Sequence, residues 1–174
     1  MAAGASGGAR GVYNPVMPFL IDGHNLIPKI GLRLDSPDDE LQLLTMLQEH
    51  SRRTRRPIEV YFDGAPPGRA GSRQAGKVKA HFVRQSSTAD AAIQARLRAL
   101  GRAARNWTVV SSDRAVQLAA TASGASAMTS EQFARDFLRG RPQLPVDGGK
   151  PSAGKDGGLS DDEIDDWLSI FGKR

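Results

Sequence analysis

The amino-acid sequence predicts a three-layer α/β domain with a mostly parallel central sheet of about five strands, and three observations carry that expectation. Short apolar runs such as Phe19-Leu20-Ile21 and Val60-Tyr61-Phe62 have the length and composition of buried strands. Stretches with helical periodicity and capping residues lie between them. Strands alternating with helices need crossover connections, and right-handed crossovers build parallel sheets.

Taken in order, Pro18 to Asp22 reads as the first strand, and Gly23 to Ser36 as a long connection holding Pro28 and Gly31. Ser36 is expected to cap a helix, with Pro37 in its first turn and Asp38, Asp39 and Glu40 set against the dipole. Leu41, Leu44, Leu47 and Gln48 follow at helical spacing. The helix closes on Arg52-Arg53-Thr54-Arg55-Arg56, a cluster that suits either the helix C-terminus or an RNA backbone. Pro57 to Phe62 forms the second strand.

Residues 63–76 read as a glycine-rich loop, and loops of that length are often functional. Arg69, Arg73 and Lys77 make it a candidate RNA-binding lip. Val78 to Val83 alternates apolar and polar, as a third and more exposed strand would. Ser87 or Thr88 caps a long helix with Ala92, Ile93, Ala95, Leu97 and Leu100 at its apolar positions, and Arg96, Arg98, Arg102 and Arg105 largely outside. Trp107 to Ser111 is the fourth strand, with Trp107 in the core. A helix from Asp113 to Ser123 is stopped by Gly124. Ala125 to Met128 is a short fifth strand. Thr129-Ser130-Glu131 opens a helix to Leu138, ended by Gly140 and Pro142.

The 174 residues thus divide into a Gly/Ala-rich leader (1–16) expected to be disordered, one domain (17–139), a flexible linker (140–158) and an acidic segment (159–174). Ile164, Trp167, Leu168 and Phe171 share one helix face in that last segment, which suits docking on the body or on a partner protein ahead of a third role, covering the basic RNA surface as a mimic of phosphate. The leader lacks the apolar core of a secretory signal, and no run of 18 apolar residues is present, so no membrane span is expected. The absence of cysteine excludes disulfides and thiolate zinc sites, and a cytoplasmic location is expected. Residues 1–150 hold 21 Lys and Arg against 13 Asp and Glu, whereas residues 151–174 hold 3 against 6. A basic body points to a polyanionic partner.

Four carboxylates lie at or just after strand ends: Asp22, Asp63, Asp90 and Asp113. Each has a local explanation. Asp113 can cap a helix, Asp90 lies in a first helical turn, and Asp22 and Asp63 sit in Asp-Gly turns. As a set they say more, because a parallel sheet brings all four to one edge, within a few ångströms. Such acids repel and raise one another's pKa values unless a hard cation such as Mg²⁺ or Mn²⁺ sits among them. Beside a basic surface, that arrangement suits hydrolysis of phosphodiester bonds. His24, His50 and His81 form no spaced ligand pair, although His24 lies where it could touch substrate. No Ser-His-Asp set, P-loop or dinucleotide-binding glycine pattern is visible.

Leu-Ile-Asp-Gly-His-Asn-Leu-Ile at 20–27, Tyr-Phe-Asp-Gly at 61–64, Thr-Ala-Asp-Ala-Ala-Ile at 88–93, Val-Val-Ser-Ser-Asp-Arg at 109–114 and Met-Thr-Ser-Glu-Gln-Phe-Ala at 128–134 together resemble the NYN domain family, in its YacP-like branch. The resemblance implies a PIN-like (Rossmann-like) fold and a metal-dependent endoribonuclease acting on RNA, single-stranded by expectation, with Mg²⁺ or Mn²⁺. By motif, Asp22, Asp90 and Asp113 resemble metal-binding and catalytic acids, and Asn25 the residue that positions the first acid or the phosphate. Asp63 resembles an auxiliary acid, Thr88 and Ser112 supporting hydroxyls, and Arg114 joins Arg69, Arg73 and Lys77 as an RNA contact. The alternatives are a non-catalytic RNA-binding protein on the same fold, with the ribosome as a candidate partner, and a phosphatase or nucleotide hydrolase sharing the acids.

Overall fold

A computed structural model describes residues 16–35 and 38–140. The expected leader, the cap at Ser36 and Pro37, and the linker and acidic segment beyond residue 140 lie outside the described residues. Six strands form one sheet: β1 (Phe19–Asp22), β2 (Ile58–Ala65), β3 (Gly71–Ala75), β4 (Val78–Arg84), β5 (Thr108–Val110) and β6 (Ser126–Met128). Their spatial order is β3-β4-β2-β1-β5-β6, and only the β3–β4 pair is antiparallel.

The helices are α1 (Gly23–Leu26), α2 (Asp39–Thr54), α3 (Ala89–Leu100), α4 (Arg114–Ala122) and α5 (Ser130–Arg139), with 3₁₀ turns at Ile27–Ile30 and Gly101–Asn106. The sheet's alternation sorts its side chains between two cores. Phe19, Ile21, Val60, Phe62 and Ala80 pack with Leu43, Leu44 and Leu47 of α2 and Phe133 and Phe137 of α5. Leu20, Tyr61 and Val109 pack on the other face with Ile93 and Leu97 of α3 and Val116 and Ala120 of α4. β1 is buried along its whole length, as expected for a central parallel strand covered on both faces.

Three details depart from the sequence reading. The loop expected at 63–76 contains a strand, β3, which shows no apolar pattern because Gly71 to Gln74 are all exposed on the sheet edge. A two-residue turn makes the hairpin: Gly76 adopts φ +57° between the paired Ala75 and Val78. β2 runs on past Phe62 to Ala65, with one extra residue against β4 where Gly64 has φ +76°. This bulge carries Asp63 and re-aims it at the strand's end. In α2 the buried face is Leu43, Leu44, Leu47, His50 and Ser51, so Leu43 replaces Leu41 in the core.

His50 is the aromatic filler expected of a core histidine: its ring lies 5.1 Å from Phe137 and 5.6 Å from Phe133, and burial pushes its pKa down to about 4. α3 is tied to the sheet by Arg96, whose guanidinium donates to Glu59 at 2.7 and 2.9 Å. Burial alone would raise the Glu59 pKa, but His81 and Arg96 hold it down to about 2. His81 stacks on Tyr61 at 4.4 Å, and its Nε2 lies 3.4 Å from Glu59 without reaching hydrogen-bonding geometry. Trp107 is partly buried, beneath Arg96.

Arg55 ends α2 with φ +60°, the left-handed region that a glycine would occupy without strain. A side chain there costs roughly 1–2 kcal/mol.

Gly23 is the residue on which the β1–α1 turn depends. A Cβ at this position would run into the Phe62 ring and lie 2.9 Å from the Tyr61 carbonyl oxygen. Gly23→Ala is therefore expected to destabilise the fold by about 1–3 kcal/mol through overpacking. Chemical denaturation measures it, and an unchanged midpoint would show that β2 yields without cost.

Candidate active site

Parallel pairing of β1 between β2 and β5 places Asp22 at the middle of the sheet's C-terminal edge. Its carboxylate caps α1, accepting from the Asn25 amide at 3.3 Å. Asp63 reaches the same edge from the bulge of β2. Asp90 enters in the first turn of α3, a helix capped by the Thr88 hydroxyl, which accepts from the Ala91 amide at 3.1 Å. Asp113 caps α4 and accepts from the amides of Ala115 at 2.8 Å and Val116 at 3.1 Å.

The fully buried Ser111 joins two of these acids. Its hydroxyl donates to Asp22 Oδ2 at 3.5 Å and accepts from the Asp113 amide at 3.1 Å. The neighbouring Ser112, the hydroxyl that the family resemblance singles out, turns instead to Glu131 and accepts from the Ser130 amide at 3.0 Å.

The acids feel one another. Burial pushes the Asp22 carboxyl up to about 6; the Asn25 amide opposes this, the charges of Asp90 and Asp63 add to it, and His24 opposes it. Asp90 is raised by burial first, then by Asp113 and Asp63. Among the described residues, Asp22, Asp90 and Asp113 make no ion pair with any Lys or Arg.

They do not, however, close into the tight cluster that the sequence suggests. Among the described residues, no group of three or more His, Asp or Glu side chains is close enough to hold a metal ion. Helix capping explains part of this, since Asp113 Oδ1 already serves two amides. The donors still suit a hard divalent cation: anionic oxygens, uncompensated, with Asp22 buried. Mg²⁺ in particular binds through one or two carboxylates and keeps several waters.

Asp63 differs from the other three. His24 lies between it and Glu40, with Nδ1 2.6 Å from Asp63 Oδ1 and Nε2 2.9 Å from Glu40 Oε1. The Glu40 hydrogen bond raises the His24 pKa most; burial opposes it, Asp63 assists, and the result is about 9. His24 is thus an imidazolium clamped by two carboxylates, and Asp63 is an ion-pair partner. Nothing in the spacing of residues 24, 40 and 63 signals this clamp.

Asn25 acts as a staple. Its Oδ1 accepts from the Ser112 amide at 2.9 Å and the Ser130 hydroxyl at 2.7 Å, tying the β1–α1 turn to the β5–α4 turn and the start of α5. A backbone amide can only donate, so the Asn25 atom facing it is the oxygen. Glu131 completes the group, taking Lys29 Nζ at 2.8 Å. Lys29 and Ser112 hold its pKa down to about 2.

The expected RNA contacts are dispersed. Arg69 lies in the turn after β2, on the side of the acids, and Arg114 directly follows Asp113. Arg73 is exposed on β3. Lys77 sits in the β3–β4 turn with Nζ 3.4 Å from the Arg55 carbonyl oxygen, at the opposite end of the sheet.

A mostly parallel sheet with acids on its central C-terminal edge, between helical layers, defines a PIN-like α/β protein. The sequence model of the YacP-like NYN domain matches residues 19–147, and the chain belongs to that family. The fold is similar to that of Rae1 (YacP) from Bacillus subtilis, with a TM-score of 0.56 and 23% identity over 70% of this chain and 74% of that one. A tryptophan-to-leucine mutant of the same Bacillus subtilis protein gives the same TM-score at 25% identity and the same coverage. No curated protein matches the sequence. Family membership sets the chain among PIN-like, nuclease-type proteins with an RNA-related function, a group that generally uses divalent metal ions. Among the described residues, no helix is long and apolar enough to cross a membrane.

The signs of the coupling can be tested on Asp22 directly. Asp90→Asn removes a neighbouring negative charge and should bring the Asp22 midpoint below about 6, whereas His24→Gln removes a positive one and should raise it. Carboxyl ¹³C NMR titration reads both. Shifts of the same sign would contradict this arrangement.

Proposed function

We propose that the chain is an Mg²⁺- or Mn²⁺-dependent endoribonuclease that hydrolyses phosphodiester bonds in single-stranded or flexible RNA, leaving 5′-phosphate and 3′-hydroxyl ends. One observation carries the reading: Asp22, buried and pushed up to about 6, faces further acids with no Lys or Arg paired to it among the described residues. Strongly perturbed acids gathered at a ligand-binding edge are a mark of active sites.

Asp22, Asp90 and Asp113 would hold the ion. When bound, it supplies an activated water and offsets charge on the scissile phosphate. Asp63, engaged by His24, would hold that imidazolium beside the first acid, where its positive charge opposes the upward shift of Asp22. Ser111 orients Asp22 and the backbone of Asp113, Thr88 fixes the helix that carries Asp90, and Asn25 holds the turns in register. Arg69, Arg73 and Arg114 would position the RNA backbone.

A second reading, RNA binding without catalysis, is favoured by one observation: no three acids stand at coordinating distance among the described residues. A phosphatase or nucleotide hydrolase fits the basic surface less well. Labelled RNA incubated with Mg²⁺, Mn²⁺ or EDTA separates the three. Cleavage should require the metal and fall on the order of 100-fold or more in Asp22→Asn and Asp113→Asn. Asn caps helices as well as Asp, so the second variant keeps its fold. Metal-independent binding without cleavage would select the second reading, and hydrolysis of nucleotides or phosphate monoesters alone the third.

A further inference from the structure

The N-terminal edge of the sheet, opposite the acids, is a surface in its own right. Backbone hydrogen bonds align the strand starts: Ile58 N to Lys77 O at 2.9 Å, Phe19 N to Pro57 O at 2.9 Å and Thr108 N to Pro18 O at 3.0 Å. Each crossover helix returns the chain to a strand start, so the C-terminal ends of α2 and α3 converge there with the β3–β4 turn. These three segments, with the 3₁₀ turn that follows α3, present Arg53, Arg55, Lys77, Arg98, Arg102 and Arg105, all exposed. None of the six pairs with a carboxylate among the described residues. Residues 64–89 and 91–112 contain no acid at all, and Glu49 is the one carboxylate in the last two turns of α2.

Helix dipoles favour one or two cations at each C-terminus. Arg53, Arg55 and Lys77, whose Nζ lies 3.4 Å from the Arg55 carbonyl oxygen, put three cations at the end of α2, more than its dipole alone calls for. Arg55 is the only non-glycine with positive φ among the described residues, in a conformation that glycine adopts more easily. Strain of this kind persists where the side chain is needed. Among the described residues no aromatic ranks with the exposed large apolar side chains, and Trp107 lies beneath Arg96. Cations without exposed rings fit a phosphate backbone better than splayed bases.

We propose that this edge docks the phosphate backbone of double-helical RNA. It lies about 23 Å from the acids, counting the seven residues from Arg56 to Asp63 at ~3.3 Å each. A folded RNA would be gripped by its stem while a flexible segment reaches the carboxylates. The inference rests on the RNA reading above but not on catalysis.

The test uses the full chain in EDTA with a labelled RNA stem-loop of about 16 base pairs. It compares wild type with Arg55→Gly/Arg102→Gln/Arg105→Gln. The triple variant should bind about tenfold or more weakly, with its log K against log salt slope flattened by about 2–3. Arg55→Gly alone should leave Tm unchanged or raise it, because it relieves the backbone. With Mg²⁺ restored, cleavage of a single-stranded tetranucleotide, too short to span the molecule, should be unchanged. Wild-type affinity and slope in the triple variant would overturn the proposal, as would a lost affinity for phosphatidylserine vesicles with RNA binding intact. If neither protein cleaves the tetranucleotide while stem-loop binding differs as stated, the nuclease reading fails and the docking surface stands.

Discussion

A carboxylate buried at the end of β1, with further acids beside it, is the constraint on which this structure turns. Raised from 3.8 to about 6, the Asp22 carboxyl costs the native state about 3 kcal/mol. The cost is absent below pH 3.8, where both states are protonated, and complete above pH 6, where both are ionised. Burial is the larger part and the neighbouring acids the remainder. The cap that Asp22 provides to α1 offsets only part of this cost.

Much of the surrounding architecture manages that charge. Gly23 lets the chain turn tightly against β2, leaving Asp22 at the helix start, where an amide can meet it. Ser111 spans the gap between β1 and β5 with a single hydroxyl. His24 bridges Asp63 and Glu40 with one positive charge, and that charge lowers the Asp22 pKa. Asn25 contributes from a distance, binding partners 87 and 105 residues away and holding three turns in one place. These are local geometric solutions to one electrostatic problem.

What could be read in advance follows from the range of the physics. β1, the caps at Thr88, Asp113 and Thr129, and the amphipathic α3 and α4 are legible because their signals lie within a few residues. β3 is not, since an edge strand of Gly-Ser-Arg-Gln-Ala buries one side chain and takes its shape from pairing. The four acids could be assigned to one edge by topology, but their spacing could not, because capping and bulge geometry set it. The His24 clamp and the Ser112–Glu131 contact join segments with no periodic relation, so only the fold brings them together.

Among the described residues, Asp22, Asp90 and Asp113, unpaired with Lys or Arg, lie at one end of the sheet, and the group of six exposed cations lies at the other. Whether the acidic end is built for a cation decides the account. Titrating Mg²⁺ into the protein while following the Asp22 and Asp90 carboxyl resonances measures this most directly. Saturable binding that returns both groups toward the ordinary carboxylate range is the result predicted. Resonances and midpoints unmoved at tens of millimolar Mg²⁺, roughly ten times beyond a weak extracellular-type site, would contradict it.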